Sequence, residues 1–476
     1  MIREAPSAPS REELIALVAA LMAENAALKA RIAELERRLG LNSSNSGKPP
    51  SSDGLKKPAR VRSLRERSDR KPGGQKGHKG ETLRQAAEPD QVADHYPSAC
   101  SECGAALTPE MAEDYAARQV FDLPEPQPLV VAEHRAHDCR CAACGAKTRA
   151  SFPDGVNAPV QYGARITAFA IYLLHYQLLP EDRLVELMAD LFGVNLAAAT
   201  IARMSRTCAE RLQGFAETVR DLVAGAPVKH MDETGFRIGG KTQWLHVAST
   251  ALLTCYRVCA KRGSLLANVA GIVVHDHWKP YYTMQGVLHA LCNAHHLREL
   301  KALVEIENED WARKMLRLLR RACHVANLAR KQGVPLKPRL IECCERCYDA
   351  ILAEGLAFHE AKAPLARAST KGGSKRRGRA PRRTGHNLLL RLATRKEDTL
   401  RFLYDPAVPF TNNQAERDGR MMKLRQKISA GFRSLQGATD FAVIRSFLST
   451  AKKQGWNIIN GLTQDPSALV KSLRLS

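Results

Sequence analysis

Three carboxylates in this 476-residue chain have the types and settings to do chemistry together. Asp232 stands in PVKHMDETGFRI, Asp276 in GIVVHDHW, and Glu416 in TNNQAERDGRMMKLRQK, a stretch that begins at Thr411. Glu416 is crowded by arginine and lysine. On a helix, Asn413, Glu416, Arg417 and Arg420 share one face through i, i+3, i+4 and i+7 spacing, with Lys423 further along. A lone glutamate there would be an exposed partner of ion pairs, and each aspartate alone a turn residue or helix cap. Together the three have the make-up of a two-magnesium site, because Mg2+ takes oxygen ligands and keeps spare water positions. One metal would lower the pKa of an attacking water or 3′-hydroxyl, and the other would stabilise the leaving oxygen of a phosphoryl transfer. The surrounding cations would then hold the substrate's phosphates.

Such a site needs a scaffold that brings distant residues together. The pattern from Ala226 to Asp276 predicts short strands: one ending at Asp232, then TQWLHVAST and LLTCYRVC, a short helix in the Ser/Leu/Ala stretch, and GIVVHDHW ending at Asp276. Three antiparallel strands, a helical crossover and a parallel strand make the front half of an RNase H-like fold. That connection sets the ends of the first and fourth strands side by side, although Asp232 and Asp276 are 44 residues apart. The 139 residues between Asp276 and Glu416 exceed what such a core needs and read mostly as helix. Within them Cys292 and His295 of LCNAHHLREL lie one helical turn apart, either supporting the site or only packing. Cys343, Cys344 and Cys347 of ECCERC read as packing in a helix.

The rest of the chain reads as apparatus for holding DNA. CSECG at Cys100 and CAACG at Cys141 are two C-x-x-C-G knuckles with 37 residues between them. They assign a structural zinc to Cys100, Cys103, Cys141 and Cys144, with Cys139 a nearby spare. From Gln161 to Val223 the periodicity is helical, and the turn Gly193-Val194-Asn195 between two helices suggests helix-turn-helix, with Thr200, Arg203 and Arg206 on the outer face of the reading helix. Leu14, Val18, Leu21, Asn25, Leu28, Ile32, Leu35 and Leu39 alternate spacings of four and three, the seam of a coiled coil with a register-fixing Asn at an a position. The Ser/Pro-rich LNSSNSGKPPSSDG then reads as a flexible linker. The basic stretch up to Gly80 has almost no apolar side chains, the run Ser369–Gly385 has no acid and several glycines, and both suit phosphate contact.

The formal charge of +23 points to a polyanion partner, most often nucleic acid. No signal peptide is visible, and the longest apolar run, Ile166 to Leu179, is too short to span a bilayer. These features predict a cytoplasmic protein with reduced thiols and no membrane partner.

HMDETGFRI with WLHVAST, VVHDHWKPYY, LCNAHHLREL and FTNNQAERDGRMMKLRQKISAGFRS closely resemble the motif blocks of insertion sequence 66 family transposases, of the DDE superfamily. The heptad helix, the SSNSGKPPSSDG linker, GGQKGHKG and the double C-x-x-C extend the resemblance over nearly the whole chain. It implies cleavage of the ends of the protein's own insertion sequence and joining of the 3′ ends to target DNA. The family's catalytic triad maps onto Asp232, Asp276 and Glu416, none of them substituted. Companion proteins of the same element are also implied. The expected architecture is multidomain α+β. A coiled-coil dimerisation helix covers 1–41, a basic linker 42–92, a zinc ribbon 93–155 and a helical DNA-binding domain 156–225. An RNase H-like mixed α/β core covers 226–435, with a mostly α-helical insertion at about 305–390, and a C-terminal helical segment covers 436–476. Double-stranded DNA is the expected partner, with the chain a homodimer or higher oligomer. Two other classes fit part of the pattern: a zinc-containing sequence-specific DNA-binding protein without catalysis, and a nuclease of this fold that cannot transfer strands.

Overall fold

The computed structural model describes residues 10–46, 48, 85–122, 129–365 and 381–475. In chain order the elements begin with helix α1 (Arg11–Gly40) and a small antiparallel pair, β1 (Asp138–Arg140) and β2 (Lys147–Arg149). Helices α2 (Ala164–Ile171), α3 (Glu181–Phe192) and α4 (Ala198–Gly225) follow, α2 running on into a π-helical turn at Tyr172–Tyr176. Then come strands β3 (Val228–Ile238), β4 (Lys241–Ser249), β5 (Thr254–Cys259), β6 (Gly271–His275) and β7 (Val287–Leu291). Helices α5 (Asn293–Ile306), α6 (Asp310–Lys331), α7 (Pro338–Glu360), α8 (Thr384–Thr394) and α9 (Lys396–Tyr404) lead to α10 (Asn413–Ile428), α11 (Leu435–Gln454), α12 (Ile458–Thr463) and α13 (Pro466–Lys471). Two compact units emerge: residues 85–151 group with 187–195, and α1 groups with 152–186 and 196–475.

The sheet of the larger unit has the order β5-β4-β3-β6-β7, antiparallel among the first three strands and parallel from β3 to β7. A two-residue turn joins β3 to β4, and both its residues, Gly239 and Gly240, have positive φ, as the tight hairpin twist requires. Three features differ from the sequence-based expectation. Strand β3 does not end at Asp232: its parallel pairing with β6 stops at His230, while its antiparallel pairing with β4 continues to Ile238. Residues 260–270 form no helix, because Asn268 is left-handed (φ 54) and Arg262 is drawn back to an ion pair with Glu233. Strand β7 is an addition: VLHAL reads as a strand only beside β6, on which its register depends.

Alternation along the strands puts Asp232, Phe236, Ile272, Val274 and Asp276 on one face. Phe236, Leu245, Val247 and Tyr256 there meet Met421 and Met422 of α10 and Phe441 of α11. Ile272, Val274 and Ala290 meet Leu297 and Leu300 of α5 and the α6–α9 helices beyond. Helix α4 buries Ile201, Met204, Cys208, Leu212, Phe215 and Val219, a stripe at helical spacing, and Phe215 meets Phe447 of α11 edge to face at 5.3 Å.

Helix α1 opens with a capping box, Ser10 and Glu13 each bonding the other's backbone N–H. Its seam residues are exposed, Leu14 at 46% and Leu28 at 57%. Just past its end the expected linker is ordered at residues 42–46 instead of free. Asn45 is 1% exposed and donates to the Gly40 carbonyl and to Glu305, while Lys301 donates to Ser44. The basic arm from Lys56 to Gly80 and most of Ser369–Gly385 lie outside the described residues.

Candidate active site

Strand register builds the first half of the site. Pairing of His230 with Val274, carried two residues further, sets Asp232 opposite Asp276 at the point where β6 ends and β3 continues. Each aspartate is fixed by a local N–H: Asp232 Oδ1 accepts from Glu233 N at 2.9 Å, and Asp276 Oδ1 from Trp278 N at 2.9 Å. Helix α10 supplies the third carboxylate. It lies on the same sheet face, with Gly419 against Val247, the β4 partner of Asp232, and Glu416 sits one turn earlier.

What aims α10 is Asn412, buried to 2% exposure immediately before the helix. Its Nδ2 donates to the Met231 carbonyl at 2.7 Å, and its Oδ1 meets His230 Nδ1 at 2.9 Å. Its backbone N–H donates to Cys292 Sγ at 3.1 Å, and its carbonyl accepts from Glu416 N. Cys292 in turn donates its N–H to His275 of β6, and its Sγ lies 3.8 Å from Glu416 Oε1. One buried asparagine thus ties β3 to the helix, with Cys292 linking both to β6. Sequence reasoning missed it, choosing the neighbouring Asn413; a buried side-chain amide has no sequence signal beyond its polar type.

The electrostatics are those of an unneutralised anionic cluster. The Asp232 carboxyl is pushed up to about 7, first by desolvation, then by the charges of Glu233, Asp276 and Glu416. Part of its surface stays accessible, so the dense protein around it rather than full burial supplies the desolvation. Glu233 points to the other sheet face and has its own partners: Arg262 at 2.5 Å and the Tyr281 hydroxyl at 2.6 Å. The Arg262 guanidinium lies over Trp278 (4.1 Å) and Trp244 (5.1 Å). Among the described residues no Lys, Arg or His forms an ion pair with Asp232, Asp276 or Glu416, so their charge is left for a cation from outside the chain. Oxygen donors of this kind fit magnesium.

The other predicted residues fall as follows. Asn413, Arg417 and Arg420 are exposed along the helix that carries Glu416, and Lys423 donates to the Gly235 carbonyl at 2.9 Å. Arg203 and Arg206 are exposed on α4, with Thr200 half-buried. In the smaller unit the two cysteine knuckles are near copies. Cys100 and Cys141 accept the N–H of Gly104 and Gly145 on their carbonyls, both glycines at positive φ (72° and 73°). Backbone N–H groups of Cys103 and Glu102, and of Cys144 and Ala143, hold the Cys100 and Cys141 thiols below their usual range. The four sulfurs are not gathered into one cluster; among the described residues, Cys292, His295 and Glu416 are the group of three ligand atoms that lie within 4.8 Å of one another. Cys139 is exposed in β1. Cys344 packs on the core, whereas Cys343 and Cys347 are exposed. No helix among the described residues is long and apolar enough to cross a membrane.

Comparison with protein families gives three matches. Residues 159–440 match the transposase IS66 family, residues 97–145 match the zinc-finger binding domain of transposase IS66, and residues 3–84 match a family of unknown function. The first match spans more than half of the chain, which therefore belongs to the IS66 transposase family, with a zinc-finger domain of that family ahead of it. DNA is accordingly its partner. No curated protein matches the chain.

Proposed function

We propose that the chain cuts the ends of its insertion sequence and joins the 3′ ends to target DNA by phosphoryl transfer at Asp232, Asp276 and Glu416. The observation that carries this reading is the register that opposes Asp232 to Asp276, with Glu416 brought to them across α10 and, among the described residues, no cation paired to any of the three. The strand order, three antiparallel strands followed by two parallel ones, supports an RNase H-like core with α6–α9 inserted before Glu416.

Two magnesium ions held by the three carboxylates would supply activation of the attacking oxygen and stabilisation of the leaving one. The chain's own residues do the positioning. Asn412 and Cys292 hold Glu416 in place, and Arg417, Arg420, Asn413 and Lys423 offer donors to the phosphates of the strand being cut. The carbonyl partner of Lys423 leaves its charge available. Arg203 and Arg206 on α4 offer contacts to the element ends, and a zinc held by Cys100, Cys103, Cys141 and Cys144 would hold the fold of the zinc-finger domain. Pairing of two α1 seams joins two protomers so that two ends are held together.

The test is strand transfer in vitro with labelled ends, a target plasmid and magnesium, alongside Asp232→Ala and Glu416→Ala. Joined products from the intact chain that vanish in both variants support the reading. Free cut ends alone indicate a nuclease. Binding without cleavage, even after companion proteins of the element are added, indicates a non-catalytic DNA-binding protein.

A further inference from the structure

We propose that Cys292, His295 and Glu416 form a binding site for a thiophilic divalent cation, of which zinc is the type, and that an ion held there takes Glu416 away from catalysis. Sequence alone left Cys292 and His295 between a supporting role and plain packing; the folded chain adds the carboxylate. Cys292 precedes the first turn of α5, His295 follows three residues later, and Glu416 comes from α10, so two separate helices supply the three ligands.

The geometry suits the ion. One ligand atom from each of the three lies within 4.8 Å of the others, and the Cys292 Sγ to Glu416 Oε1 separation is 3.8 Å. Tetrahedral zinc with its usual bond lengths to sulfur and carboxylate oxygen separates those two ligands by about 3.6 Å. His295 Nδ1 is buried and has no hydrogen-bond partner among the described residues. A buried ring nitrogen without a partner is costly, and a metal bound at Nδ1 would relieve the cost. Cys292 Sγ already accepts the Asn412 N–H at 3.1 Å; unlike the knuckle thiols, burial and the Glu416 carboxylate push this thiol up, so an incoming ion has to displace its proton. Sulfur and imidazole nitrogen favour zinc over magnesium, whereas Asp232 and Asp276 offer oxygen alone. On binding, the Cys292 thiol releases its proton to solvent and the sulfur lone pair forms the S–Zn bond. His295 and Glu416 contribute lone pairs, and one position stays open. No oxidant or reductant is involved.

The binding claim stands on this geometry; the inhibition claim rests on the catalytic reading of Glu416. Both are tested on the full-length chain. After equilibrium dialysis against zinc and metal analysis, the intact protein should hold one more zinc per chain than either Cys292→Ser or His295→Gln. Serine keeps the acceptor for Asn412 but is a poor zinc ligand. Zinc-edge X-ray absorption of the intact protein needs no variant: a shell of sulfur mixed with nitrogen and oxygen supports the site, and a sulfur-only shell overturns it. Equal zinc content in all three proteins overturns it as well. In end cleavage at fixed magnesium, Cys292→Ser should raise the zinc concentration for half-inhibition by about tenfold or more, a loss of the size met when metal-site partners are removed. Unequal zinc content with equal inhibition overturns the competition while leaving the binding site. A chain that holds the extra zinc but cuts nothing under any condition refutes the catalytic reading and not the metal site.

Discussion

Asn412→Ala should damage the larger unit far more than an ordinary loop substitution. The side chain is 2% exposed and makes two hydrogen bonds, to the Met231 carbonyl at 2.7 Å and to His230 Nδ1 at 2.9 Å. Alanine removes both and leaves a buried ring nitrogen and a buried carbonyl each short of a partner. At about 1–3 kcal/mol for each unsatisfied group, reduced where the carbonyl keeps a sheet bond, the expected loss is about 2–4 kcal/mol. The backbone bond to Cys292 Sγ survives the substitution, so α10 should still form but lose its fixed start. Denaturant unfolding followed by tryptophan fluorescence reports the stability through Trp244, Trp278, Trp311 and Trp456, and end cleavage reports the aim of Glu416. Asn413→Ala, one residue along and exposed, is the control and should leave the unfolding midpoint in place. A midpoint for Asn412→Ala that matches the control would refute the reasoning that this asparagine joins β3 to α10.

Other outcomes follow from the same structure. The folded value of about 7 for Asp232 lies above its ordinary 3.8, so without metal this group costs stability as pH rises from about 4 through about 7. In a chelator, Asp232→Asn should therefore melt higher than the intact chain at pH 8, and the gap should close toward pH 4. Cys141→Ser, or strong chelation, should release the structural zinc and weaken binding to element ends, read by electrophoretic shift, while the sheet's unfolding transition stays put. Leu28→Lys puts a charge into the exposed α1 seam and should lower the mass measured by analytical ultracentrifugation to that of a monomer.

How much of this was legible in the chain depends on the range of the interaction. Helices α10, α6 and α7 follow from local periodicity, and β6, which ends beside Asp276, stands out as a short apolar segment. The pairing of β3 with β6 was readable because the connection rules leave few topologies. What the sequence concealed was set by partners distant in the chain. VLHAL becomes β7 through its register with β6, and residues 260–270 forgo a helix because Arg262 is held by Glu233. Asn45 looks like linker until Glu305, 260 residues away, accepts its hydrogen bond. The same holds for Asn412, whose importance lies entirely in what surrounds it.

The central claim is that Asp232, Asp276 and Glu416 act as one unit, and their joint effect on rate tests it most directly. Single-turnover end cleavage would be measured for Asp232→Asn, Asp276→Asn, Glu416→Gln and the triple variant, each checked for intact folding and DNA binding. The account predicts that every single variant falls on the order of a thousandfold or more, and that the triple variant falls hardly further, as groups serving one step do. Three modest losses that multiply in the triple variant, or one position that leaves the rate unchanged, would contradict it.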